Sequence, residues 1–249
     1  MKQVSCALRA AFAVLLWAGA AQAAEIKVIS SNGLTAVLDA FKPKYEKATG
    51  NRLIIHYDVA NVLKKNIMDG EAFDLAILTG PVMDEMVQAG KVRPATRGEI
   101  ARSGSGIAYK AGSPRPGIHD AESFKAAMLA AKSIAYTTQG ASGLYFISVC
   151  EKLGIADEVK AKSKVLPGGR VAELVARGEA ELAAQQISEL LPVAGVEVIA
   201  FPPELQKFTS FPGAVGTASK RPKAAAALIK FLSDRKNAAL IRAKGMEPG

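Results

Sequence analysis

The sequence from Ile26 to Tyr45 has the pattern of a β-strand, a short polar turn and an amphipathic helix. Apolar residues recur at the spacing of one helical face, at Leu34, Val37, Leu38, Phe41 and Tyr45. This unit constrains the fold because the free N–H groups of the first helical turn, and the positive end of the helix dipole, point into the turn. An anion can bind there. We therefore predict that Ser31, Asn32 and Gly33 contact a negatively charged ligand.

The same strand-turn-helix pattern recurs along the chain. Three further copies have their strands at residues 53–57, 73–78 and 133–136. Alternating strands and helices of these lengths predict βαβ units and a largely parallel sheet, whose ligands bind at the carboxyl ends of the strands. The turns after the first and third of these strands add Ala60, Asn61, Ser142 and Gly143 as candidate binding residues.

Two extended segments, 107–110 and 208–215, divide the repeated units into two similar halves. This organisation predicts an α/β fold with two Rossmann-like lobes that are joined by a two-strand hinge, with a ligand cleft between them. We expect residues 24–104 plus 210–249 to form lobe 1 and residues 105–209 to form lobe 2. The C-terminal helices would then pack on lobe 1.

The first 23 residues have the pattern of a cleaved secretory signal peptide. Lys2 and Arg9 precede an apolar run at 10–21, and Ala21-Gln22-Ala23 is an A-x-A cleavage pattern. The run is shorter than the ~20 apolar residues that a membrane span needs, which argues against a membrane anchor. We predict that residues 1–23 are removed and that the mature chain is secreted.

The formal net charge of +9 suits three kinds of partner: nucleic acid, a membrane surface or a small anion. The Lys and Arg residues are scattered and aromatic residues make up 6% of the chain, so no basic run is interleaved with aromatic residues. Nucleic acid is therefore not an expected partner, whereas a small anionic ligand is expected.

The sequence offers little for catalysis or metal binding. His56 and His119 have no second ligand at metal spacing, and there is no phosphate-loop motif. The segment 140–143 is superficially similar to a nucleophile elbow but lacks the G-x-S-x-G frame. We predict a protein that is not an enzyme, with no catalytic residue, metal or cofactor. Arg170, whose guanidinium can hold a carboxylate or phosphate in a fork, and the amide of Gln186 complete the candidate binding residues.

In order and spacing, these segments resemble the class II periplasmic substrate-binding proteins of ABC importers, within them the molybdate-binding branch. The resemblance is carried by residues 28–50, 73–92, 141–159, 173–215 and 231–249, which read from VISSNGLTAVLDAF to IRAKGMEPG. It implies two lobes that close on a ligand and a location in the periplasm. It also implies an ABC permease in the inner membrane as partner, and we expect a monomer.

Molybdate binders of this family hold a tetrahedral oxyanion with Ser hydroxyls, backbone N–H groups and a Tyr hydroxyl. By this resemblance, Gly33 stands at the first Ser position, and residues 59–61 replace the second Ser cluster. The family's contact before the second-lobe helix falls at Ser142. Arg170 lies at or beside the position of a small apolar residue that precedes the next helix in the family, and Gln186 stands at the position of the ligand-binding Tyr. Because hydroxyls are lost and a guanidinium and an amide are gained, we expect an organic acid in preference to molybdate or tungstate.

Three alternatives remain open on the sequence. One is a molybdate- or tungstate-binding protein proper. Another, of a different class, is a secreted hydrolase that uses Ser142 in the same cleft. The third is a sensor or scaffold domain in which the cleft is vestigial.

Overall fold

Strands and helices alternate along residues 24–249, which are the residues that the computed structural model describes. The predicted signal peptide, residues 1–23, lies outside them. The strands are β1 Glu25–Ser31, β2 Arg52–Asp58, β3 Leu75–Ile77, β4 Gly98–Lys110, β5 Ile134–Thr137, β6 Ser163–Leu166, β7 Leu182–Gln186, β8 Val196–Ala200, β9 Phe208–Val215 and β10 Glu247–Pro248. The helices are α1 Thr35–Thr49, α2 Ala60–Met68, α3 Gly80–Gln88, α4 Ala121–Ala130, α5 Ala141–Lys152, α6 Ala156–Ala161, α7 Ala172–Ala176, α8 Ile187–Leu190, α9 Pro222–Leu232 and α10 Ala238–Ala243. No helix within residues 24–249 combines the length and apolar character that a membrane crossing requires.

The strands form two halves of one continuous sheet, in the order β2-β1-β3-β9-β4-β7-β5-β6. In the first half β2, β1 and β3 are parallel, and in the second half β6, β5 and β7 are parallel. The long strands β4 and β9 run antiparallel to each other at the centre. The α/β class with two lobes, as predicted, is confirmed.

Helices cover both faces of each half. In lobe 1, α1 and α9 bury Leu38, Phe41 and Leu228 on one face, and α2 and α3 bury another cluster on the opposite face. In lobe 2, α4, α5 and α6 cover one face of the sheet and α7 the other. Because these helices follow parallel strands, the starts of α1, α2, α3 and α5 all lie at the carboxyl ends of their strands.

Strand β4 connects the two halves. Its residues 98–104 pair with β9, whereas residues 105–110 pair with β7 and β8. The sequence predicted a crossing strand that begins at Ile107, and the structure places the start at Gly98. The prediction was too short because the consecutive run Ser103-Gly104-Ser105-Gly106 has no apolar side chain, so the segment before Ile107 lacks the apolar alternation of a strand. The assignment of residues 24–104 plus 210–249 and 105–209 to separately moving lobes stays a prediction.

A side chain supports β4 where its pairing changes. The Ser105 N–H donates to Gln206 Oε1 at 2.7 Å, and Gln206 Nε2 donates to the Ser105 carbonyl at 3.0 Å. Phe201 N–H also donates to the Ser105 carbonyl, at 3.0 Å. The Gln206 carboxamide thus makes the pair of bonds that a neighbouring strand makes elsewhere in the sheet.

Candidate functional site

A small cavity of about 50 Å³ lies where the turns of the two lobes face each other. It is lined by Ser31, Asn32, Gly33, Val59, Ala60, Asn61, Thr79, Val82, Thr137, Gln139, Gly140, Ala141, Ser142, Gln185, Gln186, Glu189 and Phe211. These residues come from the carboxyl ends of strands in both lobes and from the helices that follow them.

Helices α2, α3 and α5 begin at this cavity without a side-chain cap. None of them has a hydrogen bond from its N-cap side chain to the first turn. By contrast, α4 begins with a full capping box between Asp120 and Ser123. The first amides of an uncapped helix have no partner within the helix. At Ala60, Asn61 and Ser142 such amides are available to an anion in the cavity.

Buried polar atoms without a hydrogen-bond partner cluster at the same place. Within residues 24–249 these side-chain atoms are Ser31 Oγ, Thr137 Oγ1, Gln186 Oε1 and Ser188 Oγ. Their residues are between 1% and 4% exposed. The first three line the small cavity, and Ser188 lines the cavity next to it. An unsatisfied buried polar group costs about 1–3 kcal/mol, so a cluster of them indicates a place where a ligand supplies the missing partners.

A second cavity of about 240 Å³ adjoins the first. Asn32 and Glu189 line both, so the two cavities lie side by side along one cleft. The larger one is also lined by Arg170 and Tyr57. The Tyr57 hydroxyl donates to Asp39 at 2.9 Å, and burial together with this bond raises the pKa of Tyr57 above its usual range. Among the described residues that line the two cavities, Arg170 is the one with a cationic side chain.

Glu189 on α8 lies at the junction of the two cavities. Gln185 holds it, since Gln185 Nε2 donates to Glu189 Oε1 at 3.0 Å and to the Gly169 carbonyl at 2.7 Å. The Val171 N–H donates to Gln185 Oε1 at 3.3 Å, which fixes the loop that carries Arg170. Burial raises the pKa of the Glu189 carboxyl to about 8, although the attraction of Arg170 acts in the opposite direction. This raised pKa favours the protonated carboxyl at neutral pH over an ordinary glutamate.

Phe211 explains the glycine at the first turn. A Cβ atom at Gly33 would lie 2.5 Å from Phe211 Cζ and 3.3 Å from Gln186 Oε1. Phe211 is 1% exposed and sits on β9. A serine at position 33 therefore has no room unless this ring moves.

The nine sequence-predicted binding residues fall into three groups. Seven line the small cavity, namely Ser31, Asn32, Gly33, Ala60, Asn61, Ser142 and Gln186. Gly143 packs on the backbone of Thr137 and lies behind the cavity. Arg170 lines the adjoining cavity instead. Their contact with a ligand stays a proposal.

Sequence reasoning missed Thr79, Thr137, Gln185, Glu189 and Phe211. Thr79 and Thr137 could have been found, since each follows or ends a predicted strand immediately before a helix. Gln185 is adjacent to Gln186, which the sequence predicts as a binding residue. Glu189 carried no signal, because α8 has four residues and no periodic pattern.

Metal and nucleophile chemistry find no support in this cleft. Within residues 24–249 no group of three His, Cys, Asp or Glu residues could hold a metal ion. His56 pairs with Glu71 at the surface, and His119 is exposed next to Asp120. Ser142 has no histidine among the residues that line its cavity. Cys150 is fully buried, and burial raises the pKa of its thiol to about 12.

Comparisons with known proteins identify the family. Residues 26–247 match the family described as bacterial extracellular solute-binding protein. An aconitate isomerase from Pseudomonas sp. is 32% identical over 230 residues, which cover 90% of this chain and 87% of that protein. The molybdate-binding protein ModA of Azotobacter vinelandii is 27% identical over 243 residues, 92% of each chain.

Among solved structures, the periplasmic molybdate-binding protein of Azotobacter vinelandii superposes with a TM-score of 0.75 at 18% identity. The superposition covers 89% of this chain and 98% of that chain. This neighbour shares the two-lobed type II fold. The chain therefore belongs to the bacterial extracellular solute-binding proteins, in the group that is similar to the periplasmic molybdate-binding proteins of ABC importers.

Proposed function

We propose that this protein captures a small organic acid anion between its lobes in the periplasm and presents it to an ABC permease of the inner membrane. The observation that carries the proposal is the cluster of unpartnered buried polar atoms at Ser31, Thr137, Gln186 and Ser188. These atoms and the uncapped starts of α2 and α5 supply neutral hydrogen-bond partners for one anionic group. The Gln186 carboxamide can present either its oxygen or its N–H group to that ligand.

The shape of the cleft favours an organic acid over a compact oxyanion. The 50 Å³ cavity suits one small anionic group, and it continues into the 240 Å³ cavity with Arg170. A molecule with two or three carboxylates can place one in the small cavity and another on the guanidinium. The relative from Pseudomonas is named for aconitate, a propene tricarboxylate, which has this form. Molybdate or tungstate is the alternative ligand and would occupy the small cavity alone.

A thermal-shift panel of the mature protein tests the proposal. The panel contains molybdate, tungstate, sulfate, phosphate, succinate, tricarballylate and both isomers of aconitate. At a hundredfold excess over Kd a ligand stabilises by about 2.7 kcal/mol, which raises Tm by roughly 5–10 °C for a chain of this size. We expect that shift with a tricarboxylate. A shift with molybdate alone would mean that the ligand is molybdate and not an organic acid. If none of the anions shifts Tm, the proposal of anion capture is wrong.

Replacing Arg170 by alanine separates the two ligand classes. We expect the affinity for a tricarboxylate to fall about 10- to 100-fold, since a charge-assisted bond worth about 1.5–3 kcal/mol is lost. The affinity for molybdate or sulfate, where either binds at all, should not change, because Arg170 does not line the small cavity. Arg221→Ala removes an exposed arginine elsewhere and serves as the control. Titration calorimetry measures both, and an unchanged tricarboxylate affinity would remove Arg170 from the site.

Replacing Thr137 by valine should change stability and affinity in opposite directions. The Thr137 hydroxyl is buried without a partner, so valine of similar shape should stabilise the unliganded protein by up to ~1 kcal/mol. The same change should weaken ligand binding about tenfold, because a donor to the anion is lost. Thr96→Val is the matched control. Its hydroxyl donates to the Arg93 carbonyl at 2.7 Å and accepts from the Val215 N–H at 2.9 Å, so that variant should lose stability and keep its affinity.

Denaturant unfolding and calorimetry on both threonine variants provide the readout. A loss of stability in Thr137→Val with full affinity would show that its hydroxyl serves the fold and has no role in the site.

A second candidate is isomerisation of an unsaturated organic acid. It is favoured by Glu189, a carboxyl with a pKa of about 8 at the junction of the cavities, and by the similarity to an aconitate isomerase. A carboxyl with its pKa near neutrality suits proton transfer. Purified protein incubated with cis-aconitate and followed by proton NMR distinguishes the two. Binding without conversion supports capture alone, whereas trans-aconitate that forms with wild type and not with Glu189→Gln supports isomerisation.

A further inference from the structure

Glu189 is an unusual residue to find in a cleft for anions. It lines both cavities, so any ligand that spans them passes its carboxyl. An ionised carboxylate there would repel the ligand and could only accept hydrogen bonds, as the ligand's own carboxylates do. A protonated carboxyl, in contrast, offers an O–H donor to an anion.

The contacts of Glu189 fit the protonated form. Gln185 Nε2 donates to Oε1 at 3.0 Å, and within residues 24–249 this is the one hydrogen bond that the carboxyl makes. Oε2 is therefore available to carry a proton. The same Gln185 holds the Gly169 carbonyl and the Val171 N–H, so it fixes Glu189 and the Arg170 loop relative to each other.

We propose that Glu189 is a ligand-binding residue that donates its carboxyl proton in a hydrogen bond to the captured anion, so that capture is coupled to the protonation of this side chain. The inference rests on the proposed function and deepens it, because it assigns a specificity-determining role within the same cleft. Glu189 then complements Arg170: the arginine holds one carboxylate by charge, and the neutral carboxyl of Glu189 binds a second by an O–H donor.

The charged and titratable groups around Glu189 leave its carboxyl as the one that titrates near neutrality. The lining residues that carry ionisable groups are Arg170 and Tyr57, within the described part of the chain. Arg170 contributes a guanidinium group to the larger cavity. The pKa of Tyr57 is raised by burial and by Asp39. On β8, which packs against α8, the Glu197 carboxylate accepts a hydrogen bond from the Tyr109 hydroxyl.

Further contacts of α8 bring no other acid or base to this point. From α1 the cleft receives Thr35 and Ala36, and from β4 the Ser103 hydroxyl accepts from the Ser188 N–H at 3.2 Å. The Gly245 backbone at the end of α10 approaches Ile187 and Leu191. A pH dependence of capture between pH 7 and 9.5 therefore reports on Glu189. Because burial raises the pKa of Glu189 to about 8, its carboxyl changes protonation state within this pH window.

Calorimetric titration with trans-aconitate and with tricarballylate, from pH 6 to 9.5, tests this inference. The carboxylates of both probes are ionised throughout pH 7–9.5, since ordinary carboxyl pKa values are about 4. For wild type we expect a constant affinity below pH 8 and about a tenfold loss per pH unit above it, as for one bound proton. Titrations in buffers of different ionisation enthalpy at pH 8.5 should show uptake of up to about one proton per ligand.

Glu189→Gln keeps a donor that does not titrate, so it should bind within about threefold of wild type at pH 7, with no pH dependence and no proton uptake. Glu189→Ala should bind about tenfold more weakly at every pH. Glu158→Gln, an exposed change on α6 that also removes one acid, should behave as wild type. Wild-type binding that is independent of pH, with no proton uptake, would overturn the inference and leave anion capture intact. Failure of both probes to bind at any pH would overturn the proposed function, and this inference with it.

Discussion

Gly143→Ala should lose most of its ligand affinity and about 3 kcal/mol of stability, at the upper end of the cost of overpacking a core. A Cβ atom at position 143 would lie 1.8 Å from the Thr137 carbonyl oxygen and 2.8 Å from the Thr137 carbonyl carbon. Both atoms belong to the strand end that precedes α5, so neither can move aside as the tip of a flexible side chain does. Either α5 or the end of β5 must shift. The shift displaces the first amides of α5 from the cavity.

Gly117→Ala is the matched control, because a Cβ atom there meets nothing within 4 Å and the backbone is not left-handed. It should be neutral or slightly stabilising, since alanine restricts the unfolded chain. Denaturant unfolding and a ligand-induced thermal shift measure both variants. Wild-type stability and affinity in Gly143→Ala would mean that the close approach of α5 to Thr137 has no part in binding.

Glu189→Gln should be more stable than wild type at pH 8 by about 2–4 kcal/mol, with no ligand present. Burial raises the pKa of Glu189 from 4.5 to about 8, so the folded chain keeps a proton that the unfolded chain releases. The contribution of Glu189 to wild-type stability is therefore greatest below pH 4.5, falls as the pH rises to 8, and is flat above that. Glutamine has no proton to lose and does not show this decline.

The difference in stability between Glu189→Gln and wild type should vanish at pH 4, because Glu189 is protonated there in both the folded and the unfolded wild-type chain. Urea unfolding at pH 4, 6 and 8 gives the three points, and Glu158→Gln controls for the change in net charge. Equal stabilities at pH 8 would mean that Glu189 is ionised in the folded protein at little cost. Such a result would also count against its role as a proton donor to the ligand.

Much of the architecture follows from local pattern. The face of apolar residues from Leu34 to Tyr45 predicted α1, and Gly50, in the left-handed conformation at φ 71°, ends that helix. The repeated strand-turn-helix unit predicted the parallel strands and the place where their ends meet. These features depend on short segments, in which neighbouring residues decide the structure.

The cleft could be predicted only in part, because its detail comes from contacts across the chain. Phe211 lies 178 positions beyond Gly33, and no local pattern links them, yet the ring decides that residue 33 has no side chain. The short helix α8, which carries Glu189, has its place fixed by β4, β7 and β8 rather than by its own sequence. Arg170 was expected beside the small anion site, and its loop instead holds it at the adjoining cavity through Gln185.

The contact between Gln206 and Ser105 affects the connection between the two halves of the sheet and involves no residue that lines the two cavities. At Ser105, where the pairing of β4 passes from β9 to β7, a rotatable side chain supplies bonds that a rigid neighbouring strand supplies elsewhere. Gln206 lines neither cavity of the cleft. If the lobes close on a ligand as proposed, we expect substitutions at this one position to alter the stiffness of the connection, and with it the residence time of the ligand, without changing the residues that line the cleft.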